Sequence, residues 1–105
     1  MATSALTEAT FGEAASAPGI LLVDFWAAWC APCHAFAPVF AAASEAHPAV
    51  RFATVDTDAE QRLAGALGVA SLPTLAIFRD GRFVGTRPGV ASRRDLDRLI
   101  AQLRP

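Results

Sequence analysis

Cys30 and Cys33 stand three apart in Trp29-Cys30-Ala31-Pro32-Cys33 and are the only cysteines in the chain. In a reducing compartment a pair at this spacing is a poor permanent staple, which leaves redox exchange, metal binding or coincidence. A structural metal site normally takes four ligands. Beyond the pair this sequence offers only His34 and His47, with no second cysteine pair at a fitting distance. Redox exchange is therefore the reading favoured, with no metal and no bound cofactor expected. Its chemistry sets a requirement: only a thiolate attacks a disulfide, and a free cysteine, with a pKa of about 8.5, is mostly protonated at neutral pH. One of the two must be activated. Cys30 lies just before a predicted helix, where unpaired N–H groups and the positive end of the helix dipole favour an anion. Cys33 lies inside the first turn and is more enclosed. Cys30 is thus the expected nucleophile and Cys33 the resolving thiol, with Pro32 holding the loop tight between them.

Other residues near this pair have two readings each. Asp24 sits inside the apolar run Ile20 to Ala27. If buried, its carboxyl is desolvated, its pKa rises, and it could accept a proton from Cys33; otherwise it faces solvent at the sheet end. Trp29 is either core filling or an exposed apolar platform for substrate, with the second favoured at a loop leading into a helix, whereas Trp26, within the strand, leans to the core. His34 could supply a charge or proton near the thiols, but a histidine on a first helical turn is more often a solvated surface residue. His47 reads as a helix-end residue. Pro73, in Ser71-Leu72-Pro73-Thr74, is a trans proline by base rate, or a cis proline shaping a tight turn.

These residues need elements to position them. Thr10 to Ala17 reads as a short helix stopped by Pro18-Gly19. Ile20 to Ala27 is nearly continuously apolar, as in a strand covered on both faces, and belongs in the middle of a sheet. Pro32 to His47 is alanine-rich, with Phe36, Val39, Phe40 and Ala43 at helical spacing and a kink expected at Pro38. Arg51 to Asp58 alternates as a strand, and a helix from about Ala59 to Leu67 follows, stopped at Gly68. Strand, helix, strand, helix implies parallel pairing. Thr74 to Phe78 and Arg82 to Thr86 flank Asp80-Gly81, the strongest hairpin signal in the chain. Ser92 is a candidate N-cap for a last helix whose Leu96, Leu99, Ile100 and Leu103 form one apolar stripe.

At 105 residues, 53% of them hydrophobic and 18% charged, the chain is expected to fold as one compact domain spanning 1–105. The net charge of −1 gives no electrostatic footprint for nucleic acid or an anionic membrane surface. All nine basic residues are arginine, and Arg79, Arg82 and Arg87 are interleaved with Asp80 and apolar residues rather than grouped in a block. The longest apolar stretch, Ile20 to Ala28, is interrupted by Asp24 and falls well short of the roughly 20 residues that span a bilayer. Met1 to Thr10 lacks the basic and apolar segments of a secretory signal. A cytoplasmic monomer is the expectation.

With Val23-Asp24-Phe25-Trp26-Ala27-Ala28-Trp29-Cys30-Ala31-Pro32-Cys33, then Pro38, Leu72-Pro73-Thr74, Asp80-Gly81 and Pro88-Gly89-Val90, the sequence resembles the thioredoxin family over almost its whole length. The resemblance implies an α/β thioredoxin fold, a central mixed β-sheet with helices on both faces, and protein-disulfide reductase activity through a redox-active Cys30–Cys33 disulfide. It implies that Pro73 is a cis proline facing that disulfide and that Asp24 is a buried acid assisting Cys33, which tips both open readings. It places Trp29, Leu72, Pro73, Gly89 and Val90 in a substrate groove where an extended peptide can pair with the backbone beside the proline. The implied partners are disulfide-containing proteins and a thioredoxin reductase that draws electrons from NADPH.

Three departures from the family pattern bear on redox poise. Ala31 stands where glycine is usual, His34 where lysine or arginine is common, and Thr54 where a lysine often lies near the buried acid; this chain has no lysine. Without that cation the Asp24 pKa is expected to rise further. The strand before Thr10 also looks short. Two rival readings are an oxidase or isomerase, which would need a less reducing pair and usually an oxidising compartment, and a binding or chaperone module in which the cysteines are dispensable.

Overall fold

The computed structural model describes residues 2–105. Its elements run β1 (Thr3–Ala5), α1 (Glu8–Ser16), β2 (Ile20–Trp26), α2 (Ala31–Ala46), β3 (Arg51–Asp56), α3 (Gln61–Ala66), β4 (Thr74–Arg79), β5 (Arg82–Pro88) and α4 (Arg93–Leu103). The five strands form one sheet in the order β1-β3-β2-β4-β5. β1, β3 and β2 are parallel, while β4 runs antiparallel to β2 and to β5, so the sheet is mixed. With α2 and α4 on one face and α1 on the other, this is the mixed-sheet architecture that the resemblance implies.

β2 occupies the centre because almost nothing in it tolerates water: Ile20 to Phe25 are all buried. The strand's two-residue period divides those side chains between two cores. Ile20 and Leu22 join Phe36 and Phe40 of α2 and Leu96 and Ile100 of α4. Leu21, Val23 and Phe25 join Phe11 of α1, Val55 of β3 and Phe78 of β4 on the opposite face. The same alternation aims Asp24 toward the α2 side, where Thr54 of β3 lies opposite it in the parallel register.

Element ends differ from the sequence expectation by at most two residues, for local polar reasons. α1 starts at Glu8, since the Thr7 N–H donates to Thr10 Oγ1 at 3.0 Å and makes Thr7 the cap. β3 stops at Asp56 and α3 starts only at Gln61, because the intervening loop is held by side chains. Thr57 donates to the Trp26 carbonyl through both its N–H (2.9 Å) and its Oγ1 (3.0 Å), and the Asp58 N–H donates to Asp56 Oδ1 (3.0 Å). α2 continues through Pro38. His47 does more than end α2: its Nε2 lies 2.7 Å from Asp97 Oδ1 on α4 and ties the two helices together. α4 begins with the reciprocal pair in which Asp95 N–H donates to Ser92 Oγ and Ser92 N–H to Asp95 Oδ2, both at 3.0 Å.

The β4–β5 turn has positive φ at both Asp80 (53°) and Gly81 (82°), the conformation that matches the twist of the flanking strands. A Cβ on Gly81 would lie 3.1 Å from the Ser16 carbonyl oxygen. Gly81→Ala is therefore expected to lower stability by about 1–2 kcal/mol, from left-handed backbone cost alone, with the backbone contact adding to it. Urea unfolding checks this; an unchanged midpoint would remove the turn from the account.

Candidate active site

The central strand ends at Trp26, and four residues later the chain enters α2. Cys30 is the N-cap of that helix. Its backbone is extended, its Sγ accepts a hydrogen bond from the Cys33 N–H at 3.2 Å, and Pro32 occupies the first turn, where a missing N–H costs nothing. Cys30 and Cys33 are joined as a disulfide with Cα atoms 5.3 Å apart. Both are buried, and with Ala27 they form a small apolar cluster on which Trp26 and Leu72 pack. An Sγ at Cys30 thus meets helix N–H donors and the positive helix end, both of which favour a thiolate there.

Asp24 is 3% exposed, so it does not face solvent at the sheet end. Its Oδ1 has no hydrogen-bond partner among the described residues. Burial without compensation pushes its pKa from 3.8 up to about 7, because the ionised form loses its water and gains no cation in return. Asp24 and Cys33 line one cavity of about 350 Å³, together with Thr3, His34 and Thr54. The arrangement puts a carboxyl able to take or give a proton near neutral pH beside the enclosed member of the dithiol.

Other residues singled out in the sequence fall around the disulfide in different ways. The Leu72–Pro73 peptide is cis, against the base-rate expectation. Leu72 packs on the cysteine cluster, and the Pro73 carbonyl accepts from the Gly89 N–H at 2.8 Å, which brings the Gly89–Val90 loop alongside. Trp29 is 72% exposed and Val90 is 50% exposed, giving apolar surface around the disulfide. Trp26 is half-buried rather than part of the deep core. His34 is exposed, yet its ring is held, with Nε2 2.6 Å from the Ala28 carbonyl oxygen. Sequence reasoning missed Asp58, whose Oδ1 accepts from the Trp29 indole N–H at 3.3 Å. No sequence signal points to it; the β2–β3 register sets Asp56 beside Trp26 and so delivers the 57–58 loop to the Cys30 loop. Among the described residues no group of three or more His, Cys, Asp or Glu could hold a metal ion, and no helix is long and apolar enough to cross a membrane.

Comparison with known proteins places this geometry in context. The Thioredoxin family model matches residues 2–102. The chain is 41% identical over 102 residues to a putative thioredoxin 2 of Streptomyces coelicolor, covering 97% of this chain and 76% of that protein. It is 40% identical over 96 residues to a thioredoxin of Listeria monocytogenes, covering 90% and 92%. A thioredoxin of Bacillus subtilis is 37% identical over 101 residues, covering 95% and 96%. The crystal structure of the Malassezia sympodialis thioredoxin superposes with a TM-score of 0.87 at 28% identity, covering 98% of this chain and 94% of that one.

The Asp24 carboxyl has a consequence for stability. In the folded protein it keeps its proton to about pH 7, whereas in the unfolded chain it loses it near 3.8. The folded state therefore binds more protons across that window, and stability must fall as pH rises through it. At about 1.4 kcal/mol per pKa unit, the loss is roughly 4 kcal/mol between pH 4 and pH 8. Urea unfolding of the oxidised protein should show this decline, and Asp24→Asn should flatten it and be the more stable protein at pH 8. A parental curve that is flat from pH 4 to pH 8 would contradict the burial argument.

Proposed function

The chain belongs to the thioredoxin family and is a protein-disulfide reductase working by thiol–disulfide exchange at Cys30 and Cys33; on that premise we propose how its residues divide the reaction. Cys30 is the attacking thiol and Cys33 the resolving one. The observation that carries this is the cap geometry: the Cys33 N–H already donates to Cys30 Sγ at 3.2 Å, and the same donor would hold a Cys30 thiolate.

The Cys30 thiolate attacks one sulfur of a substrate disulfide, forming a mixed disulfide and expelling the first substrate thiolate. The Asp24 carboxylate takes the proton of the Cys33 thiol. The Cys33 thiolate then attacks Cys30 Sγ, the Cys30–substrate bond breaks, the second substrate thiolate leaves, and the Cys30–Cys33 disulfide closes. Two electrons have passed to the substrate. Burial of Asp24 supports its role, since a carboxyl poised near the working pH exchanges protons with little driving force lost.

Substrate lies along Trp29, Leu72, Pro73, Gly89 and Val90 in this reading. The exposed Trp29 and Val90 supply apolar contact. The Leu72 main-chain N–H and C=O have no hydrogen-bond partner among the described residues, which suits pairing with an extended peptide. The indole bond to Asp58 fixes the Trp29 ring, so less freedom is lost when substrate docks. A thioredoxin reductase fed by NADPH restores the dithiol, and the reducing setting this requires is the cytoplasm; the exchanging pair being the only cysteines supports that assignment.

Single substitutions separate the roles. Cys30→Ser should lower insulin-disulfide reduction by about three orders of magnitude or more and form no mixed disulfide. Cys33→Ser should be as inactive in turnover yet accumulate a covalent mixed disulfide visible by non-reducing electrophoresis and mass spectrometry. The reverse pattern would exchange the two assignments. Substantial reduction by the Cys30→Ser, Cys33→Ser double variant would defeat the exchange mechanism.

A further inference from the structure

The cavity beside Cys33 contains one more base than the exchange steps use. Of its lining residues only Asp24, Cys33 and His34 ionise; Thr3 from β1 and Thr54 from β3, which also line it, carry no charge. At about 350 Å³, with hydroxyls and a carboxyl on its walls, the cavity has room and partners for water.

The orientation of His34 follows from its one hydrogen bond. Nε2 lies 2.6 Å from the Ala28 carbonyl oxygen, and a carbonyl only accepts, so Nε2 carries the hydrogen. In the neutral ring the basic lone pair is then on Nδ1, which has no hydrogen-bond partner among the described residues. The ring is thus anchored at one nitrogen and open for proton transfer at the other. Asp24, buried with Oδ1 unpartnered, needs such a route, because it must shed the proton it takes before it can act again.

We propose that His34 relays the proton between Asp24 and bulk solvent during resolution of the mixed disulfide, with Nδ1 as the acceptor and cavity water between them. The proposal rests on the reading that Asp24 takes the Cys33 proton. The Asp24 carboxyl passes its proton through water to Nδ1, the imidazolium releases it to solvent, and the carboxylate and neutral ring are restored; no electrons move.

His34→Gln is the informative variant, since glutamine keeps an N–H donor for the Ala28 carbonyl but cannot take a proton at neutral pH. Decay of the mixed disulfide is followed by acid quench after the reduced protein meets a disulfide peptide, at pH 7 in about 1 mM buffer and with rising imidazole. The parent should be fast and indifferent to imidazole. His34→Gln should resolve more slowly by about tenfold or more at low buffer, and recover toward the parental rate as imidazole supplies the missing base. Asp24→Asn should be slow and unresponsive. A His34→Gln protein as fast as the parent at low buffer overturns the relay, as does one that is slow but unmoved by imidazole, while the Asp24 reading survives both. Parental resolution by Asp24→Asn would instead remove the Asp24 reading, and the relay with it.

Discussion

The site depends on one constraint: a strand that must be buried on both faces runs directly into the N-terminus of a helix. β2 is enclosed by two cores, so its end can open only where the sheet does, and α2 begins there with Cys30 as its cap. Helix donors left without partners by helix geometry are thereby delivered to a sulfur. The same strand, through its two-residue alternation, turns Asp24 to the face that α2 covers. The thiol's electrostatic support and the buried Asp24 carboxyl thus share one cause, and neither can move without the core being rebuilt.

That constraint has an energetic cost which the core must carry. An ionised carboxyl buried with an unpartnered oxygen is destabilising, and most globular domains have only about 5–15 kcal/mol of net stability. Phe25, Phe36, Phe40 and Phe52, all essentially inaccessible, form much of the apolar mass that offsets it. The cap pairs at Ser92 and Asp95, and the His47–Asp97 bridge between α2 and α4, secure the helices at positions away from the chemistry. Rigidity is therefore placed around the site, while Trp29 and Val90 at its rim remain exposed for contact.

Legibility in the sequence followed the range of the interaction. The cysteine pair, the buried run of β2 and the Asp80-Gly81 turn were readable because each is set within a few residues. Asp24 was ambiguous from spacing alone, since alternation within an all-apolar strand does not say which face is deeper; only the cover by α2 decides it. Pro73 is trans by base rate alone and cis by the resemblance, and the structure has it cis; its isomer is chosen by tertiary surroundings that local sequence does not encode. Asp58 was invisible, being 29 residues from the indole it binds. The hold on His34 was equally hidden, since it required the ring to turn back six residues to the Ala28 carbonyl. The loop between β3 and α3 reads in sequence as strand and helix, but side-chain bonds from Thr57 and to Asp56 outcompete both.

Unequal thiols are the central claim, and limited alkylation tests it most directly. The reduced protein, treated at neutral pH with less than one equivalent of iodoacetamide and mapped by mass spectrometry, should carry the label on Cys30 almost alone. Equal labelling, or preference for Cys33, would contradict the account that the start of α2 activates the first cysteine and encloses the second.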